Sequence, residues 1–251
     1  MKGYGPESFG EYMADGYDSS FKNPSEEETK QTVDVLAELA AGGTVLELAI
    51  GTGRVGLPLA ARGLSVSGIE ASAKMVEQLR TKPGGDAINV TIGDMADVGV
   101  EGTFDLVYLV FNTLFNLTSQ ADQVRCFKNV SKHLSGGGLF VIEAYVPDPA
   151  QYENGESLKT IHVSIDRAVF EASVHNPVLQ TVEYQYIEVT EQGVRLHPLP
   201  VRYVWPSELD LMAQLAGLEL HQRFAAWDRS TFTESSASHI SIYKPALKTQ
   251  N

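Results

Sequence analysis

Residues 45–60, VLELAIGTGRVGLPLA, place an acid and three glycines at a spacing that can hold a nucleotide. Gly51, Gly53 and Gly56 match G-x-G-x-x-G, the dinucleotide fingerprint, and follow an apolar run that contains Glu47. Glycines let a backbone approach a ligand closely, and the helix start that follows presents unpaired N–H groups. Glu70 stands 17 residues beyond Gly53 (70 − 53), near where an acid takes ribose hydroxyls. A dinucleotide and a phosphate-free adenosine cofactor would both use these parts. Glu47 and Asp94 divide the two readings. A carboxylate inside a strand meets a cationic or amino group better than a pyrophosphate, and left unpaired there it is costly. Asp94, in IGDMADV, can accept from an adenine amino group. Three acids around a glycine turn suit an adenosine with an amino-acid tail, which is S-adenosylmethionine, with S-adenosylhomocysteine as its product.

A second set falls where an acceptor would lie. Phe111, Asn112 and Phe115 follow strand four, and Glu143 and Tyr145 end strand five. That is the carboxyl edge, where open α/β sheets bind ligands. Phe115 serves core or site equally. Glu143 is a substrate contact or one half of an ion pair, with Arg202 as its partner or as a separate substrate clamp. The N-terminal FGEYMADGYD adds Phe9, Tyr12 and Tyr17. Histidines at 133, 162, 175, 197, 221 and 239 lack metal-ligand spacing, so no metal is expected. Cys126 sits beside the apolar stripe of a helix and reads as structural, and the G-x-S-x-G elbow of hydrolases is absent.

The elements that position these residues alternate. PSEEETKQTVDVLAELAAGG opens with a Ser25–Glu28 capping box, presents Val33, Leu36, Leu39 and Ala40 on one face, and stops at Gly42. Strands are expected at 44–49, 64–70, 88–92, 104–111 and 138–145, with helices between them, the one after Ser72 capped by it. This grammar predicts an α/β fold, a doubly wound, mostly parallel sheet. After Pro147 it changes to four strand patterns joined by HNP and EQG turns, an antiparallel insertion. A helix capped by Ser207 and stopped by Gly217, then two closing strands, complete the chain. We expect one domain over 1–251, with a lid segment at 1–24 and a β-rich insertion at 150–205 that caps the site or forms an interface. Tyr184, Tyr186, Tyr203 and Trp205 would give that insertion an aromatic roof.

Composition narrows the partners. The 32 acids against 19 lysines and arginines disfavour nucleic acid and favour an amine-bearing small molecule. The single cysteine fits a reducing cytoplasm, and LVYLVF at 106–111 is too short to span a bilayer, so a cytoplasmic protein without membrane partners is expected.

LELAIGTG, GIEAS, IGDMADV, FDLVYLVFNTLFNLTSQ, HLSGGGLFVIEAY and PSELDLMAQLAGL together resemble a class I S-adenosylmethionine-dependent methyltransferase. The likeness spans nearly the whole chain. It is nearest to small actinobacterial enzymes of antibiotic biosynthesis, among them amine N-methyltransferases acting on aminosugars, glycopeptides and lincosamides. The resemblance implies a seven-stranded sheet whose last strand is antiparallel. It implies that Glu47, Ala49, Gly51 and Gly53 line the methionine part of the cofactor, Glu70 the ribose, and Asp94 and Met95 the adenine. Val110 and Asn112 would lie beneath the sulfonium. Tyr17 would reach the methionine end; Tyr12, Ala71 and Met75 join the cofactor set, and Tyr17, Asn112 and Glu143 the catalytic one. Phe9, Phe111, Phe115, Tyr145 and Arg202 would face the acceptor. Ala49 departs from the family's usual glycine, which is tolerable if its φ is negative. The implied reaction is methyl transfer to an amine of a small natural product, such as an N-demethyl-lincosamide, by a homo-oligomer. An O-methyltransferase, a non-catalytic cofactor-binding protein and a nicotinamide oxidoreductase remain open alternatives.

Overall fold

The computed structural model describes residue 1 and residues 3–18, 24–97 and 99–247. Residues 2 and 19–23 of the expected N-terminal segment, and Val98 of IGDMADV, lie outside them. After the short helix α1 (Ser8–Met13), α2 (Glu26–Ala40) begins at the expected box. Ser25 Oγ accepts from Glu28 N–H at 3.2 Å, and the Glu28 carboxylate accepts from Ser25 N–H at 2.8 Å. Such a cap is worth about 1 kcal/mol.

Strand β1 (Thr44–Leu48) runs parallel to β2 (Ser65–Glu70) on one side and β4 (Phe104–Leu109) on the other. Strand β3 (Asn89–Ile92) extends the β2 side, and β5 (Leu134–Tyr145) the β4 side. Strand β11 (Ser238–Pro245) is antiparallel to β5, and β10 (Leu218–Phe224) antiparallel to β11. The order β10-β11-β5-β4-β1-β2-β3 is the expected doubly wound, mostly parallel seven-stranded α/β sheet. Its growth changes direction between β1 and β4, and such a switch point opens a crevice at the carboxyl edge.

Helices close both faces. Val33 and Leu36 of α2 and Leu59 of α3 (Gly56–Ala61) share one apolar cluster with Val45, Leu106 and Tyr108. Phe127 and Val130 of α5 (Gln120–His133) share the other with Phe140 and Tyr243. Each fully buried side chain of this size contributes about 1.5–3 kcal/mol. Helix α4 (Ala73–Arg80) follows β2 and is capped as expected, Ser72 Oγ accepting from Met75 N–H at 3.3 Å.

Some boundaries differ from expectation. Strand β4 stops at Leu109 because Phe111 and Asn112 take left-handed φ values of 57° and 63°. Strand β5 starts at Leu134, four residues early, because glycines at 136–138 keep the chain extended beside β4. A Cβ on Gly138 would lie 2.7 Å from the Phe104 carbonyl oxygen. Ser207 does not cap α6 (Pro206–Leu215). Pro206 occupies the first turn, where its missing N–H costs nothing, and Trp205 precedes it without a side-chain bond.

Between β5 and α6 the chain builds a separate antiparallel sheet of β6 (Glu156–Val163), β7 (Arg167–Asn176), β8 (Thr181–Thr190) and β9 (Gly193–Arg202). Register places Glu171 opposite Tyr186 and Tyr186 opposite His197. Strand alternation therefore puts these side chains on one face. Among the described residues no helix is long and apolar enough to cross a membrane.

Candidate active site

Glu47 lies near the end of β1, in register with Tyr108 of β4. Both are buried, and neither Glu47 Oε2 nor the Tyr108 hydroxyl makes a well-formed hydrogen bond. Burial pushes the Glu47 carboxyl up to about 8, with the Tyr108 hydroxyl and the Gly56 amide opposing. Leaving an acid so placed costs folding free energy.

The turn after β1 is wound left-handed at Ala49 (φ 55°), Gly51 (55°) and Gly53 (81°). The condition for an alanine at 49, a negative φ, is therefore not met. The neighbouring backbone holds the turn: Ile50 N–H donates to the Ile69 carbonyl and Gly53 N–H to the Ile50 carbonyl, each at 2.9 Å. A left-handed L-residue costs about 1–2 kcal/mol.

Glu70 ends β2 and reaches back to this turn. One carboxylate oxygen accepts from Gly51 N–H at 2.8 Å and the other from Ser72 N–H at 2.9 Å. Burial raises its pKa, and these amides oppose the shift. Asp94 follows β3 and accepts from Ala96 N–H at 2.9 Å. Glu70, Asp94, Ala49, Gly51, Ala71, Met75 and Met95 line a narrow cleft of about 90 Å³, together with Phe9 and Tyr17. The N-terminal segment presses on it. A Cβ on Gly10 would fall 2.3 Å from Ser72 Cβ, and Asp18 binds Thr52 Oγ1 at 2.7 Å and Lys82 at 2.6 Å.

Four residues expected at the cofactor do not line this cleft. Glu47 lies beneath the turn, Val110 is buried, and Gly53 packs against Leu57 and Leu79. Tyr12 also lies elsewhere. It is 57% exposed and lines a larger cavity instead.

That cavity, about 750 Å³, opens along the carboxyl edge and runs under the four-stranded sheet. Phe9 and Tyr17 wall both spaces, as do Thr113 and Asn116. Tyr17 meets Phe9 edge-on at 6.1 Å, and the Arg54 guanidinium lies 4.8 Å from the Tyr17 ring and 5.0 Å from that of Phe111. Burial raises the Tyr17 hydroxyl pKa against the pull of Arg54. Phe111, Asn112, Phe115, Glu143 and Tyr145 form the edge itself. Asn112 Oδ1 accepts from Tyr145 N–H at 2.7 Å, and Phe115 packs edge-on to Tyr145 at 4.8 Å.

Glu143 is not paired with Arg202. It accepts from Phe111 N–H at 2.9 Å and from Trp227 Nε1–H at 3.0 Å, and burial raises its pKa. Arg202 is buried and lines neither space, so it is not a substrate clamp in this structure. Its guanidinium is committed to Glu208 at 2.7 Å, Gln123 at 2.6 Å and Gln180 at 3.3 Å. The aromatic wall is also smaller than expected. Tyr184 and Tyr186 face the cavity, whereas Tyr203 is buried against His175 and Trp205 does not reach the cavity. Sequence reasoning missed Arg54, although GTGR sits in the motif, and Trp227, for which FAAW carries no signal.

Residues 45–138 match the family model described as a methyltransferase domain. The structure of the CcbJ methyltransferase from Streptomyces caelestis is 36% identical, covers 97% of this chain and 100% of its own, and superposes with a TM-score of 0.89. The chain belongs to the class I S-adenosylmethionine-dependent methyltransferases. The cypemycin N-terminal methyltransferase of a Streptomyces species is 28% identical over 71% of this chain and 74% of its own. S-adenosylmethionine-bound CalS10 from Micromonospora echinaspora, an amino pentose methyltransferase, shares the fold at 20% identity, covering 91% and 96% of the two chains with a TM-score of 0.68.

The cofactor of this methyltransferase is S-adenosylmethionine, and the cleft suits it chemically. A Cβ on Gly51 would meet nothing nearer than the Ala49 carbonyl oxygen at 4.0 Å, so the methionine part of the cofactor has room to approach this backbone. Buried Glu47 leaves an oxygen without a partner beneath the turn. Ligand pockets commonly run to roughly 300–1,000 Å³. At about 90 Å³ the cleft alone is smaller than that, and it continues into the larger cavity through Phe9, Tyr17, Thr113 and Asn116.

Proposed function

We propose that this methyltransferase methylates an amine nitrogen of a small natural product, with a prolyl-type secondary amine of the lincosamide kind as the preferred acceptor. The observation that carries the reading is the cavity of about 750 Å³ adjoining the cofactor cleft through Phe9, Tyr17, Thr113 and Asn116. Its size suits a small molecule. The names of the relatives, an N-terminal methyltransferase and an amino pentose methyltransferase, support nitrogen over oxygen.

In this reading Glu70 takes the ribose hydroxyls, and Asp94 and Met95 take the adenine, flanked by Ala71 and Met75. Ala49, Gly51 and Gly53 shape the backbone around the methionine part, with Glu47 and Val110 behind it. When bound, S-adenosylmethionine supplies an electrophilic methyl group on a sulfonium. The chain contributes position: aligning a nitrogen in line with that methyl is worth up to about 7–11 kcal/mol. Phe9, Phe111, Phe115 and Tyr145 hold the acceptor, and Asn112 fixes the edge. Glu143 accepts the proton that leaves the nitrogen, directly or through water, and the neutral Tyr17 hydroxyl can relay it by giving up its own proton as it takes the new one. The buried thiol Cys126 supports a cytoplasmic location. Exposed Leu158, Val174 and Leu196, on the face of the four-stranded sheet opposite the cavity, support a homo-oligomer.

The test is incubation with S-adenosylmethionine and a panel of secondary amines and size-matched alcohols, read by mass spectrometry. N-methylated product alone is expected. O-methylated product alone makes the chain an O-methyltransferase, and tight S-adenosylhomocysteine binding with no product makes it a non-catalytic binder. Tyr17→Phe should lower turnover by about a hundredfold with cofactor affinity held; unchanged turnover removes Tyr17 from the chemistry.

A further inference from the structure

The cavity face of the four-stranded sheet is not uniform. Nearest the carboxyl edge it carries tyrosines: Tyr184 lies within hydrogen-bond reach of Tyr145 at the end of β5, and its hydroxyl meets that of Tyr152 at 2.9 Å. The Tyr184 and Tyr186 rings stack with centroids 6.2 Å apart and planes within 10°. Glu171, directly across from Tyr186 in register, accepts from the Tyr186 hydroxyl. Its carboxylate also acts electrostatically on Tyr145, Tyr152 and Tyr184, so one acid is common to four phenols. Each of these phenols has its pKa raised, chiefly by burial, and stays a neutral hydroxyl. Farther out the same face changes character. Glu188 holds Arg167 at 2.7 Å and lies 3.5 Å from His197.

A carboxylate beside stacked phenol rings, with oxygens that can accept from a ligand N–H, has the chemistry that binds an organic cation. The rings add the attraction of their faces for positive charge. We propose that Glu171, Tyr184, Tyr186 and Tyr145 form a cation subsite that captures the protonated amino group of the acceptor on the cavity wall. The inference rests on the amine-acceptor reading above and names the group that selects the substrate. An amine is a cation in neutral solution and a nucleophile only once its proton has left. This subsite concentrates the abundant form at the wall, and the proton is given up nearer the cofactor cleft.

The test uses a matched pair of probes, prolinamide, cationic at neutral pH, and N-acetylprolinamide, which is neutral. Each is titrated by ligand-observed NMR into protein saturated with S-adenosylhomocysteine. Wild type should bind the cation about tenfold more tightly than the neutral probe. Glu171→Gln should abolish that preference, Glu171→Asp should keep most of it, and Tyr186→Phe should reduce it several-fold. Unchanged S-adenosylhomocysteine affinity in each variant shows that the fold survives. Equal binding of the two probes by wild type, or a preference intact in Glu171→Gln, overturns the subsite. A preference that depends on Glu171 in a protein that methylates alcohols but no amine leaves the subsite standing and overturns the amine reading alone.

Discussion

The two sheets build their halves of the site by different means. On the seven-stranded sheet the key acids act on backbone: Glu70 takes the amides of Gly51 and Ser72, Glu143 that of Phe111, and Asp94 that of Ala96. Strands buried on both faces fix where those amides lie, so an acid at a strand end has a defined place. On the four-stranded sheet the site is one face of a two-faced surface, with Glu171, Tyr184, Tyr186, Glu188 and His197 on the cavity side. Its other face exposes Leu158, Val174 and Leu196. The first half has its geometry written into the main chain, which suits one unvarying cofactor. The second carries it in side chains, which change without disturbing the ladder, as an acceptor pocket requires.

If that contrast holds, variants divide by which measurement they move. The largest effect is expected at Arg202, where the four-stranded sheet meets α6 through a buried guanidinium and Glu208. Arg202→Ala leaves that carboxylate with only the Gln120 and Gln180 amides and should cost about 3 kcal/mol in urea unfolding, with acceptor KM little changed where the protein remains folded. A raised KM at full stability would return Arg202 to the acceptor site. Glu70→Ala comes next. It removes two charge-assisted bonds to the glycine turn along with the expected ribose contact. S-adenosylhomocysteine affinity by calorimetry should fall about a hundredfold or more. Affinity within a few-fold of wild type would mean that the turn holds its shape without Glu70, and the backbone half of the comparison would fail.

Glu47 gives a test in pH. Its carboxyl is pushed by burial from the ordinary value of 4.5 to about 8 in the folded chain. The folded state thus retains a proton that the unfolded chain releases above about 4.5, so this group's contribution is full below that pH and is lost as pH rises through about 8. Cofactor-free protein should therefore lose stability across that window. Glu47→Gln, neutral throughout, should flatten the profile and raise stability at pH 8 while weakening cofactor binding. A parallel profile for the two proteins would mean that the carboxyl ionises in place at little cost.

The same contrast explains what could be read from the sequence. Glycine spacing, strand-end acids and the alternation of strand and helix are local signals, and they located the parallel sheet and the cleft around Gly51, Glu70 and Asp94. The four-stranded sheet was legible as strands, but which face meets the cavity depends on how it docks, a long-range matter. Hence Tyr203 and Arg202 were expected at the acceptor and lie in the interior, while Glu171 went unremarked. Trp227 reaches Glu143 from a loop between β10 and β11, and nothing local in FAAW announces it. Phe111 was read as the end of a strand, with Asn112 just after it, because side-chain type does not reveal two successive left-handed residues.

Ala49 gives the smallest effect and the sharpest test of how the turn is held. Its φ of 55° is held between the β1 ladder, which ends at Leu48 paired with Ile69, and the bonds of Ile50 and Gly53 that follow it. Ala49→Gly relieves about 1–2 kcal/mol of steric cost but adds about 0.5–1 kcal/mol of backbone entropy to be lost on folding. The net expectation is a gain of up to about 1 kcal/mol by urea unfolding, at unchanged slope. Ala49 also lines the cleft, so its methyl narrows the space beside Gly51. Removing it should leave S-adenosylhomocysteine affinity equal or slightly higher. If stability falls instead, the strain is smaller than the left-handed φ implies. If affinity falls while stability rises, the alanine methyl is part of the contact surface that the turn presents to its ligand.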